Sequence, residues 1–198
     1  MEILKRWLSH DDRSLAVIVL IFRNLQTFFY SISNLKNSNM LKIKSATIQD
    51  IPIVQQLAEK IWNEHYVPFI GEAQINYMLG LFYNEESLSK QMSEGQIFYL
   101  IENEGFMSGF LGVTLKSEAE FFINKFYVDA RGKGIGKNVF TSLLALYPET
   151  EIIRLNVNKH NFKSINFYFK RGFQIENTAV FDIGNNYVMD DFMMIWKK

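Results

Sequence analysis

Between residues 128 and 137 the chain reads Val128-Asp129-Ala130-Arg131-Gly132-Lys133-Gly134-Ile135-Gly136-Lys137, after a strand-like apolar run and before a helix-like one. Three glycines in five residues strip side chains from the backbone where a helix begins, so several amide N–H groups can converge on one anion. The helix dipole adds about half a positive charge at that end, and Arg131, Lys133 and Lys137 add whole ones. The segment demands a strand, a tight turn and a helix N-terminus in succession, and it reads as a cradle for a pyrophosphate. A plain flexible glycine-rich loop is the competing reading from this stretch alone.

Two familiar phosphate motifs fail on residue identity. A dinucleotide fingerprint needs G-x-G-x-x-G, but the glycine after Gly134 comes at 136 and position 137 is Lys. A Walker loop needs G-x-x-x-x-G-K-[ST], and here position 131 is Arg and position 138 is Asn. What weighs against a mere flexible loop is a second segment, Leu155 to Phe173, with Asn161, Ser164 three residues on, Tyr168 seven residues on, and then Gly172-Phe173. Asn161 and Tyr168 are roughly two helical turns apart, so their side chains share a face about 10 Å apart. One could hold an amide-rich linker while the other reaches its reactive end.

In this order the two segments resemble the signatures of the GNAT superfamily, the Gcn5-related N-acetyltransferases. Arg131, Gly134 and Gly136 satisfy the first, [RQ]-x-x-G-x-[GA], and Asn161 with Tyr168 the second. The resemblance covers about 159 residues, from Met40 almost to the end. It implies that Arg131, Gly132, Lys133, Gly134, Ile135, Gly136 and Lys137 grip the pyrophosphate of acetyl-CoA, that Asn161 contacts the pantetheine arm, and that the Tyr168 hydroxyl protonates the leaving thiolate. It also implies that the strand carrying Phe126, Tyr127 and Val128 splays from the strand carrying Leu155 to Val157. The wedge would take the pantetheine as a pseudo-strand on the backbone of Phe126 and Val128.

The element pattern agrees. Strands are expected over 41–46, 96–102, 106–115, 119–128, 152–157, 174–181 and 187–196. Helices are expected from Ile51 to near Tyr66, ending before Pro68, and over 72–82, 85–92, 134–147 and 161–170, with Thr47-x-x-Asp50 as a capping-box start. This is an α/β chain: a mixed, mostly antiparallel sheet with helices on both faces. At 198 residues with nearly half of them apolar, it can bury one substantial core. A formal charge of zero gives no reason to expect a nucleic-acid partner. The absence of Cys excludes disulfides, thiolate metal sites and a cysteine nucleophile, and fits a cytoplasmic protein. No metal is expected.

All eleven Gly and all three Pro lie after Met40, which sets residues 1–39 apart as an N-terminal extension, or as an artefact of start-site choice, from a domain over 40–198. The apolar run Leu15–Phe22 would span about 12 Å as a helix against a hydrocarbon core of about 30 Å, so it does not cross a bilayer alone. An amphipathic helix lying on a membrane or a partner is the alternative for this segment, and a membrane-associated interaction protein acting through it is one competing function.

The reaction asks an amine to attack a thioester, so a base or water relay must take a proton and an acid must meet the sulfur. Tyr168 can be that acid; a core tyrosine is its plain alternative. Many GNATs carry a Glu where this chain has Asn124, which cannot be a base; Glu118, Glu120 and His160 read as solvated surface groups. A water chain or an amine arriving neutral is therefore expected, and a non-catalytic acyl-CoA-binding sensor is the other competing function. Acceptors are small-molecule or peptide amines. The segment from Ile61 to Tyr66, with the helix carrying Gln74 to Phe82 and the ending from Asp182 to Met194, resembles bacterial members close to spermidine and spermine acetyltransferases. Trp62, Glu64 and Tyr66 are the acceptor-binding candidates. Glu64, Glu72, Asp182, Asp190 and Asp191 could replace water around a polyamine. Met189, Phe192, Met193, Met194 and Trp196 suit a homodimer interface, and core burial explains them equally.

Overall fold

The computed structural model describes residues 41–129 and 134–198. The expectations for residues 1–39 and for Arg131, Gly132 and Lys133 lie outside the described residues. Strand β1 (Leu41–Ser45) leads into a turn where the Asp50 carboxylate accepts from the Thr47 N–H at 2.8 Å, the capping contact expected of Thr47-x-x-Asp50. Helix α1 (Ile51–His65) then buries Ile51, Val54, Leu57, Ala58, Ile61 and Trp62, the i, i+3, i+4 stripe of an amphipathic helix.

The helix ends before Pro68, as expected, and Pro68 then lies in a separate four-residue helix not foreseen from sequence, α2 (Val67–Ile70), where the first turn needs no N–H from proline; Gly71 at φ 87° ends it. Helix α3 (Glu72–Phe82) follows, then α4 (Glu85–Ser93), capped by Asn84 accepting from the Ser87 N–H at 2.7 Å. Strands β2 (Ile97–Asn103), β3 (Phe106–Leu115) and β4 (Glu120–Val128) come next, and then α5 (Ile135–Leu146), β5 (Ile152–Asn158), α6 (Phe162–Phe169), β6 (Gln174–Gly184) and β7 (Tyr187–Lys197).

Seven strands form one sheet in the order β1-β2-β3-β4-β5-β7-β6, antiparallel throughout except for the central β4–β5 pair. On one face, Ile135, Val139, Phe140 and Leu143 of α5 and Ile165 of α6 bury against Phe121, Ile123, Ile153, Leu155 and Val157. On the other, α1, α3 and α4 bury Ile61, Ile75, Met78 and Leu88 against Phe98, Leu100 and Phe110. Helices thus cover both faces, as sequence predicted. β7 is an interior strand whose Met194 is fully buried and whose Phe192 and Trp196 lie against the first layer.

One irregularity decides what faces the centre. Gly112 pairs with Lys125 but Val113 pairs with Ile123, so Asn124 is an extra residue, a β-bulge in β4. Before the bulge Phe121 and Ile123 face the α5–α6 layer; after it Phe126 and Val128 do, while Tyr127 turns to the α1–α3 layer. Were Asn124 paired in the ladder instead of bulged, the strict period of two would place Lys125 and Tyr127 on the face of Phe121. β3 can follow β4 this closely because position 109 is Gly: a Cβ there would lie 2.1 Å from the Tyr127 carbonyl oxygen.

Candidate active site

β4 and β5 pair only from Glu120↔Ile152 to Ile123↔Leu155, although β4 runs on to Val128 and β5 to Asn158. Past that point the two strands diverge, and a wedge opens in the middle of the sheet. Cavities lie on both sides of it. One, of about 380 Å³, is lined by Val128, Gly134–Lys137, Lys163, Phe167, Lys170 and Arg171. The other, of about 280 Å³, is lined by Trp62, Gln74 and Met78 on the helices, by Asn124 and Lys125 of β4, by Asn156 and Asn158 of β5, and by Met189 and Asp191 of β7. Tyr66, Phe126, Tyr127, Ser164 and Tyr168 line both. The wedge is therefore where two compartments meet.

The first compartment suits a polyanion. Gly134, at φ 76°, caps α5 in the left-handed conformation that glycine adopts without strain, and the first-turn amides of Ile135 to Lys137 have no partner within the helix. Lys137, Lys163, Lys170 and Arg171 surround this end, and the Arg171 Nε is buried without a hydrogen-bond partner among the described residues. Tyr168, 7% exposed, stands at the junction with its ring against Phe167 and Phe173. Burial, and next the neighbouring Tyr66, push its phenol well above the ordinary tyrosine value, so it stays protonated.

The second compartment has an aromatic wall. Trp62 stacks on Tyr66 at 5.5 Å and meets Tyr83 and Tyr127 at 5.5 and 5.8 Å. Its outer side is closed by the β6–β7 hairpin, which Tyr77 and Gln74 of α3 tie down through the carbonyls of Ile183 at 2.7 Å and Val188 at 2.9 Å. Asp191 lines it at 8% exposure, and its carboxyl is pushed up to about 6 by burial and then by the Asp190 charge, with Lys159 pulling the other way.

The profile of the Acetyltransferase (GNAT) family matches residues 55–173. The chain belongs to this family. A GNAT enzyme transfers an acetyl group from acetyl-CoA to an amine. A spermidine N(1)-acetyltransferase of Thermoplasma acidophilum is 22% identical over 158 residues, 76% of this chain and 96% of that protein. Among solved structures, the PaiA N-acetyltransferase of Thermoplasma acidophilum in complex with coenzyme A has a TM-score of 0.68 at 20% identity, covering 80% of this chain and 99% of that one. The ribosomal-protein-S18-alanine N-acetyltransferase of Escherichia coli has a TM-score of 0.60 at 16% identity, covering 80% and 94%.

Within this GNAT frame, the expected donor-side residues Val128 and Gly134 to Lys137 line the 380 Å³ cavity, and Phe126, Tyr127 and Tyr168 line the junction. Asn161 lies on the other side, in the 280 Å³ cavity. It is 5% exposed, its Oδ1 accepts from the Ser164 N–H at 3.2 Å to cap α6, and its Nδ2 donates to the Tyr66 hydroxyl at 3.4 Å. Trp62 and Tyr66, expected to bind the acceptor, line this cavity, but Glu64 does not: two residues from each, it falls on a different flank of α1, beside His65. Of the five acids considered for a polyamine, Asp191 alone lines the cavity; Asp190 is ion-paired with Lys159.

Asn124, in the position of the missing base, is spent on the bulge, where its Oδ1 accepts from the Thr114 hydroxyl at 2.8 Å. Glu118, Glu120 and His160 line neither cavity. Glu64, His65 and Asp129 bring three possible ligand atoms within 4.8 Å of one another, but Lys60 already supplies the positive charge there, 2.7 Å from Asp129. Sequence reasoning missed Lys163, Lys170 and Arg171. Their spacing, with Lys163 at the start of the helix that carries Tyr168 and Lys170 and Arg171 just past its end, was the available signal.

Proposed function

We propose that the two cavities are the donor and acceptor halves of one acetyl-transfer site, with the thioester held in the wedge between β4 and β5. The observation that carries this is the junction itself, where a buried, protonated Tyr168 is shared by a cation-lined and a carboxylate-bearing compartment. Bare amides at Gly134 to Lys137, with Lys137, Lys163 and Arg171, match the pyrophosphate of acetyl-CoA, and Arg131 to Lys133 extend the same grip. Phe126 to Val128 pair with β3 on one edge, and their other edge, which β5 no longer meets, faces the pantetheine as a strand would. Tyr168 gives its proton to the departing thiolate. Asn161 fixes the start of α6 and the Tyr66 hydroxyl, and so sets where Tyr168 stands.

The acceptor is a primary amine on a small molecule or a peptide, entering past Trp62 and Tyr66. Residues 40–198 carry this activity as one domain and residues 1–39 form an extension outside it. The cysteine-free chain is in keeping with a cytoplasmic enzyme.

The test is acetyl-CoA-dependent thiol release by the full chain against a panel of amines, with the Tyr168→Phe protein beside it. The wild type should release thiol with at least one amine, and Tyr168→Phe should lower kcat about 100-fold while leaving the acetyl-CoA Kd unchanged. Acetyl-CoA binding without transfer to any amine would replace the enzyme by a sensor.

A further inference from the structure

Buried carboxylates are normally paired or hydrogen-bonded, because an isolated charge out of water costs several kcal/mol or more. Asp191 breaks that rule inside the acceptor cavity. It is 8% exposed, and among the described residues no hydrogen bond or ion pair reaches its carboxylate. Its neighbour Asp190 takes the Lys159 ammonium instead. Asp191 pairs in register with Asn158 across the β5–β7 ladder, so it sits on the strand next to the open side of the wedge, and it lines the same cavity as Tyr168.

The rest of that cavity is unsuited to a second cation. Trp62, Tyr66, Ile70, Met78 and Met189 give it an aromatic and apolar wall, the polar groups opposite, such as Asn124, Asn156 and Asn158, are neutral amides, and no other carboxylate lines it. The one cationic side chain in the lining, Lys125, runs across Gly112 and donates to the Gln91 Oε1 at 2.5 Å, with its ammonium 5.4 Å from the rings of Tyr83 and Phe98. It leaves a positive charge behind the aromatic wall, which opposes any further ammonium placed against that wall.

We infer that Asp191 docks the acceptor's ammonium and takes its proton, and that this one-carboxylate cavity selects primary amines bearing a single positive charge on an apolar or aromatic body. The inference rests on the acetyl-transfer reading above and names its acceptor. The ammonium passes one proton to Asp191, which frees the nitrogen lone pair. The nitrogen bonds to the thioester carbonyl carbon and the C–S bond breaks. The nitrogen sheds its second proton as the amide forms, while the thiolate takes one from Tyr168. Asp191 returns its proton to water and the Tyr168 phenolate recovers one, so each turnover yields amide, free thiol and one net proton.

The groups around Asp191 are Asp190 on its own strand, Lys159 at the end of β5, and, lining the cavity from the helices and β4, Tyr66, Tyr168, Tyr127 and Lys125. With the carboxyl pushed up to about 6, kcat/KM should fall on the acid side as Asp191 becomes protonated.

The experiment uses the full chain with acetyl-CoA and with phenethylamine, hexylamine and spermidine. The wild type should show a kcat/KM at least roughly tenfold higher for either monoamine than for spermidine. Asp191→Asn should lower kcat/KM for phenethylamine about 100-fold, abolish the acid limb near pH 6, and keep the acetyl-CoA Kd. Equal kcat/KM in Asp191→Asn overturns the role of Asp191, and a preference for spermidine overturns the single-charge cavity. If the substituted protein does not fold, the wild-type profile decides: an acid limb centred near 6 supports the inference and a flat profile through that region ends it. Acetyl-CoA binding with no amine acetylated by the wild type removes the transfer reading itself and this inference with it.

Discussion

The two sides of the wedge are built by opposite means. In the cavity proposed for the donor, the polar groups are backbone amides and cations from two stretches of chain, Gly134 to Lys137 and Lys163 to Arg171. In the cavity proposed for the acceptor they are side chains from α1, α2, α3, β4, β5, α6 and β7, set by packing between elements far apart in sequence. A cofactor common to a whole family can be met by local backbone geometry. An acceptor that differs from one enzyme to the next is met by surfaces that can change one residue at a time.

If the two sides share only the wedge, the largest effect should come from closing in on it. Gly109→Ala places a Cβ 2.1 Å from the Tyr127 carbonyl oxygen, a backbone atom that cannot rotate away. The strands must part at the residues that line both cavities, so unfolding free energy should fall by about 3 kcal/mol and the KM for acetyl-CoA and for amine should both rise. Denaturant unfolding with steady-state kinetics on both substrates checks this. A rise in one KM alone would mean that the halves are less coupled than the shared lining implies.

The next effect separates the halves by stability. Burial depresses the Lys125 ammonium to about 8, against an ordinary value of 10.5. The unfolded chain holds that proton more tightly, so the folded state bears the full cost below pH 8 and is relieved of it as pH rises from 8 towards 10.5. Lys125→Met removes the charge but leaves the Gln91 Oε1 without its donor. The net should be a gain of about 2 kcal/mol at pH 7 that fades by pH 10.5. Melting curves across that range are the measurement. A gain independent of pH would show that the ammonium is not what the aromatic wall resists.

The same contrast explains what the sequence revealed. The strands and helices were legible because periodicity is a local property: the alternation in β5 and the 51, 54, 57, 58, 61 stripe of α1 each appear within one element. Gly134 to Lys137 and Tyr168, which line the larger cavity, could be picked out for the same reason. The bulge at Asn124 was not, because an extra residue shows only against the partner strand, and with it went the facing of Lys125 and Tyr127. Pro68 marked the end of α1 but not the start of α2, because a proline that ends one helix and one that begins another look alike. Asp191 could be named among five acids but not singled out, since its isolation depends on Asp190 having taken Lys159.

A smaller effect tests the donor side alone. Arg171 lines the cation-lined cavity, its buried Nε has no hydrogen-bond partner among the described residues, and its guanidinium lies 6.0 Å from the Phe167 ring. Arg171→Ala should raise the KM for acetyl-CoA about tenfold, about 1.4 kcal/mol, with the amine KM unchanged and Arg171→Lys recovering part of the loss. A change in the amine KM instead would place this guanidinium in the acceptor half.

The smallest effect belongs to the outer wall of the acceptor side. The Tyr77 hydroxyl donates to the Ile183 carbonyl at 2.7 Å, and its ring lies 5.3 Å from that of Tyr187, so this residue joins Gln74 in holding the β6–β7 hairpin to α3. Tyr77→Phe keeps the ring and removes one partly buried hydrogen bond, worth about 1 kcal/mol. Asp191 stands on the same hairpin as that lost contact, so loosening the hairpin lets the carboxylate drift from the wedge. The amine KM should rise about fivefold while the acetyl-CoA KM and the melting temperature hardly move. Loss of acetyl-CoA affinity in this protein would mean that the hairpin braces both compartments, and the division between a local donor site and an assembled acceptor site would have to be redrawn around β7.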